Sequence, residues 1–129
     1  MSKKFFVMSE NYHANFWKKI RGDGLNIIST WIDNFGEDGV ALDSSFDDKC
    51  EYLVKYLDEI DEADIIVVYC VEGDRYGSGP KSDIFFTRSH LNKGKPIRFV
   101  GKGDGIPRFY REHPLWSEFD TLEEAFSTE

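Results

Sequence analysis

Residues 63–70 read ADIIVVYC, and positions 65–69 are apolar without a break. A strand with one wet face alternates apolar and polar residues. A strand without alternation is buried on both faces, as in a parallel sheet covered by helices. On the N-terminal side lies an amphipathic helix. Phe46, Cys50, Leu53, Val54, Leu57 and Ile60 fall at i, i+4, i+7, i+8, i+11 and i+14, one stripe of a 3.6-residue period. Ser45 with Asp48 forms a capping-box pattern. Cys50 sits on the stripe and reads as core packing.

Further upstream, residues 4–8 form an apolar first strand. A helix over 12–21 follows, marked by Phe16, Trp17 and Ile20 and ended by Gly22 and Gly24. Residues 26–31 are rich in β-formers and predict a second strand, before the polar loop DNFGEDG. Downstream, VEGDRYGSGPKSDIFF (71–86) is a glycine-rich loop running into a helix. Pro80 suits its first turn, with Ser78 or Gly79 as cap. That helix runs to about Asn92 and stops at Gly94 and Pro96. PIRFVG is a strand, GKGDGIP a loop, and residues 117–119 a short strand. Thr121 and Glu124 cap a last helix.

Strands alternating with helices predict an α/β fold. The expected architecture is a single domain over 1–129: a Rossmann-like or flavodoxin-like three-layer sandwich with a mostly parallel five-stranded sheet.

Composition narrows the function. The net charge is −8, from 16 Lys and Arg against 24 Asp and Glu, which argues against a nucleic-acid partner. Acidic residues crowd positions 37–64, a solvated face. No segment reads as a signal peptide or reaches membrane-spanning length. Cys50 and Cys70 make no disulfide framework. A cytoplasmic protein without membrane partners is expected. No metal is expected, because His13, His90 and His113 are far apart and no pair has ligand spacing. No cofactor is expected either, since neither a G-x-G-x-x-G fingerprint after the first strand nor a P-loop is present.

Open α/β sheets bind ligands outside the carboxyl ends of their strands. Three loops leave those ends, at 9–15, 72–79 and 101–105. Together they suit a small polar ligand, phosphorylated or not. Ser9 and Asn11 supply polar groups, and Gly79 opens the helix behind the second loop. Glu72 and Asp74 either hold sugar hydroxyls or make the turn. Tyr12, Trp17, Trp31, Tyr69 and Tyr76 are candidates for stacking on a base; Trp31 and Tyr69 end apolar strands and are equally candidates for the core. His13 is either a loop residue near the site or surface. Asp83 lies in the first turn of its helix, where the dipole keeps a carboxylate ionised; an ordinary first-turn acid reads the same way.

The pattern resembles the nucleoside 2-deoxyribosyltransferase-like family, which includes the deoxynucleoside monophosphate N-hydrolases and small phage-type members. FFVMSENYHANFWKKIRGDGLNIISTWID resembles the family's first strand, helix and second strand. ADIIVVYCVEGD, followed by GSGPKSDIFFTRSHLNKGKPIRFVG, resembles its apolar strand, acidic loop, catalytic helix and Gly-Lys-Pro. HPLWSEFDTLEEAF resembles the phage-type ending. The resemblance implies that Asp83 stands where a nucleophilic Glu attacks the anomeric carbon, and that Ser9 matches a serine contacting a 5′-phosphate. It also implies a homo-oligomer whose neighbours complete the pocket. A tyrosine of the family's first strand falls on Phe5, an acid on the helix before the third strand on Tyr56, and a small residue after the Glu on Phe85. The expected function is therefore binding of a nucleoside or nucleotide, with cleavage or transfer at the N-glycosidic bond. An inactive relative that sequesters a nucleotide-derived signal is the alternative, and an acidic protein-interaction module a second one.

Overall fold

A computed structural model describes residues 3–9, 13–34, 46–70, 91, 93–101 and 111–127. Strand β1 spans Phe5–Met8 and helix α1 Ala14–Gly22. A 3-10 turn follows at Trp31–Asn34, then helix α2 at Phe46–Glu62. Strands β2 (Ile65–Cys70), β3 (Ile97–Gly101) and β4 (Trp116–Phe119) lead to a short helix α3, Leu122–Ala125. The strands lie in the order β1-β2-β3-β4, all parallel.

The unbroken apolar run is the central strand. β2 pairs with β1 on one side (Phe5 opposite Ile65) and β3 on the other (Ile66 opposite Ile97). Side chains alternate between faces along a strand, so the register assigns the layers. Phe5, Val7, Tyr69 and Arg98 share one face, covered by α1 and α3: Phe5 and Trp17 both meet Phe126 edge-on. Phe6, Val68 and Phe99 share the other, where Phe6 meets Tyr56 of α2 edge-on at 4.9 Å. This is a three-layer sandwich. Among the described residues, no helix is long and apolar enough to cross a membrane.

The second strand expected at 26–31 shrinks to one parallel bridge, Ile27 on Phe5. Phe5 N donates to Asn26 O at 3.0 Å and Ile28 N to Phe5 O at 2.9 Å. There the backbone ladder stops and side chains take it over. Val7 N donates to Ser29 Oγ, and Trp31 Nε1 donates to Val7 O, each at 2.8 Å. The backbone is thereby released to turn into the 3-10 helix. Four strands are thus paired among the described residues, and the bridge holds the fifth position, beside β1.

The stripe expected on α2 is rotated in its described half. Ile60 is buried, but Val54 is 61% exposed and Leu57 36%, while Tyr56, Glu59 and Ala63 face inward. Glu59 explains the rotation. Its carboxylate accepts from Thr30 N at 3.0 Å and Thr30 Oγ1 at 2.7 Å, which ties α2 to the start of the 3-10 turn. The side chains of Phe46, Cys50 and Leu53 and the Ser45 cap lie outside the described residues. Helix α1 starts at Ala14 and runs through Gly22 to a cap at Asp23.

Helix ends are closed from a distance. Lys95 donates to Asp61 O and Ala63 O at the end of α2, which has no basic residue in its own last turn. Gly94 turns the chain toward it at φ +75. Arg98 donates to Ala125 O and Ser127 O at the end of α3. Thr121 Oγ1 accepts from Glu124 N and donates to Glu124 Oε1, the expected cap.

Candidate functional site

From β1 the chain moves outward to the Ile27 bridge, then crosses back to β2 on the other side. The direction of winding therefore changes between β1 and β2. In open α/β sheets ligands bind at such a point, outside the carboxyl ends of the strands. Ser9 follows β1 and Tyr69 lies near the end of β2 on that side of the sheet.

Ser9 immediately follows β1 and is buried. Its Oγ accepts from Trp17 Nε1 at 2.8 Å, which pins α1 to the end of β1. Trp17 in turn meets Tyr69 edge-on at 5.5 Å. Tyr69 is the partly buried member of an otherwise buried strand. Phe16 lies nearly parallel to it, with planes 22° apart and centroids at 5.8 Å. His13, the residue before α1, meets Tyr69 edge-on at 5.2 Å. Four rings, from His13, the start of α1 and the end of β2, thus form one aromatic wall.

The wall is uncharged at neutral pH. Burial pushes the His13 imidazole below its ordinary range, which favours the neutral ring. Burial pushes the Tyr69 phenol up, so it keeps its proton. Such a surface receives a planar, weakly polar ring and offers it hydrogen bonds.

Gly101 closes β3, and its backbone crosses Cys70 so tightly that a Cβ would stand 1.8 Å from Cys70 O. Its φ of +116 lies in the region that favours glycine.

Of the expected site residues, Ser9 and Tyr69 both meet Trp17 at the carboxyl ends of β1 and β2. Trp31 is 2% exposed, with its indole N–H on Val7 O, beneath the site. Asn11, Tyr12, Glu72, Asp74, Tyr76, Gly79 and Asp83 lie outside the described residues. Phe16 joins the wall although its spacing assigns it to the helix's core stripe; it is 41% exposed. The spacing of rings at 13, 16 and 17 puts them on one turn of a single helix face but does not say which is left at the surface.

No protein-family model matches the sequence. No curated protein matches it either. Among solved structures, the 2-deoxyribosyltransferase of the psychrotolerant bacterium Bacillus psychrosaccharolyticus is similar, with a TM-score of 0.69 at 16% identity. The match covers 98% of this chain and 92% of that one. The two chains share a fold over nearly their whole lengths.

Proposed function

We propose that the chain binds a nucleoside or nucleotide above the carboxyl ends of β1 and β2, and cleaves or transfers at its N-glycosidic bond. The observation that carries this reading is the end-to-end fold shared with a 2-deoxyribosyltransferase. The aromatic wall at the change of winding supports it, because a base needs a flat apolar surface and little charge.

In this reading Asp83 is the nucleophile. Its carboxylate attacks the anomeric carbon as the C–N bond breaks. The bonding pair leaves with the base, which takes up a proton. Water or a second base then displaces Asp83 from the sugar. Glu72 and Asp74 hold sugar hydroxyls, while Asn11, Tyr12 and Gly79 border the ligand. Ser9 lies toward the 5′ end, where the N-hydrolase form of the reaction would place a phosphate. No cofactor enters the reaction. The working state is a cytoplasmic homo-oligomer.

The side chain of Asp83 favours a second reading. Aspartate is one methylene shorter than glutamate, about 1.5 Å of reach, and a misplacement of about 1 Å costs on the order of 100-fold in rate. The same pocket would then hold a nucleotide or nucleotide-derived signal without cleaving it.

Chromatography of mixtures with deoxynucleosides and their 5′-monophosphates separates the two. The enzyme releases free base, and Asp83→Ala stops the release. Saturable thermal stabilisation by a ligand recovered intact would sink the catalytic reading and leave the binder.

A further inference from the structure

The outer surface of the aromatic wall has a use beyond packing. Phe16 is 41% exposed although it sits one residue before the fully buried Trp17. Its ring runs nearly parallel to Tyr69 but displaced from it, so the two make a stepped shelf. Trp17 and His13 each meet Tyr69 in a T-shaped contact and fix the shelf's orientation. The Tyr69 hydroxyl makes no hydrogen bond with the described residues. A partly buried hydroxyl without a partner among the described residues has a donor to offer a ligand.

We infer that Phe16 and Tyr69 form the base-recognition shelf: the heterocycle rests on the Phe16 ring, and the Tyr69 hydroxyl donates to a carbonyl oxygen or ring nitrogen on its edge. This rests on the reading of the site as a nucleoside pocket and adds to it the residues that select the base. The occupant is a planar heterocycle rather than an aliphatic group, because one apolar face and one edge donor meet within a single pair of rings. The phenol keeps its proton because burial raises its pKa, so it donates throughout the neutral range. Every natural base carries an acceptor on its edge. Bases are therefore discriminated by where that acceptor lies relative to the hydroxyl.

Calorimetric titration with the four 2′-deoxynucleosides and their 5′-monophosphates tests the shelf. Tyr69→Phe keeps the ring and removes the donor. It should weaken the preferred ligand about three- to tenfold, the effect of one neutral hydrogen bond. Its melting temperature without ligand should equal or exceed that of the wild type; a fall would show that the hydroxyl serves the fold and would overturn the assignment. Phe16→Leu keeps apolar bulk on an exposed position and removes the π face. It should weaken all ligands about tenfold, within the range of one base stacked on an aromatic ring. Wild-type binding with both variants unchanged overturns the shelf and leaves the nucleoside reading intact. No binding of any member by the wild type overturns both. A change of sedimentation coefficient in Phe16→Leu, with ligand binding unaltered, would make the exposed ring a contact between copies and also overturn it.

Discussion

Ser9 Oγ accepts the hydrogen bond of the buried Trp17 indole at the end of β1. Ser9→Ala leaves the Trp17 N–H without that oxygen, and an unsatisfied buried donor costs about 1–3 kcal/mol. Urea denaturation should show a loss of that size, with the aromatic wall loosened at its base. At Gly101 the obstacle is steric. A methyl group there would meet Cys70 O at 1.8 Å on a backbone at φ +116. Gly101→Ala should cost at least about 3 kcal/mol, since strain and overpacking add, and the urea midpoint should fall accordingly. These residues also show what the sequence reveals at this scale. Ser9 is legible because a small polar residue directly after a strand marks its carboxyl end. Phe16 is not, because its neighbour Trp17 satisfies the same core stripe, and only the position of Tyr69 decides which ring is left at the surface. Asp83, Glu72 and Asp74 stand as readings of the sequence.

Strand β1 and helix α2 show where local pattern and tertiary contact part. β1's neighbour at 26–31 has β-forming composition, yet only Ile27 pairs. Composition reports that the segment is apolar and extended. It does not report that Ser29 and Trp31 side chains will serve the groups of Val7. Ser29→Ala removes one of those partners and should cost about 1–3 kcal/mol. Amide exchange should quicken at Val7, while amides of β3, two strands away, keep their protection. On α2 the periodicity correctly gives a helix, and the burial of Glu59 then turns it so that Val54 and Leu57 face outward. An acidic residue on the inner face is invisible to a search for apolar stripes. Lys95 is a similar case. The Gly-Lys-Pro segment closes the end of α2 through its lysine, and Lys95→Met should lower stability by about 0.5–1 kcal/mol through the lost dipole interaction, measured as a shift in melting temperature.

For the whole molecule, the layer order was legible from the one unbroken strand, because a strand buried on both faces requires cover on both. The pH dependence of stability is likewise a whole-chain property. His13 is depressed by burial, so its contribution is fully present above about pH 6.5 and is lost as pH falls through its folded pKa. Asp33 and Glu118 are depressed chiefly by hydrogen bonds from Arg21 and Arg111. Their contributions are present above the ordinary carboxylate range and are lost as pH falls through their folded values. Both pairs are more than a third exposed at the carboxylate, so each is worth less than about 1 kcal/mol. Urea midpoints should fall in two stages on acidification. His13→Gln should flatten the upper stage, and Asp33→Asn with Glu118→Gln the lower. The side of β1 away from β2 carries a different consequence. Its outward groups, at Phe5 and Val7, are all taken by Asn26, Ile28, Ser29 and Trp31. An extended peptide, whether foreign or from another copy, finds no docking seam there, so amyloid-like growth along this flank requires the flank to unfold first.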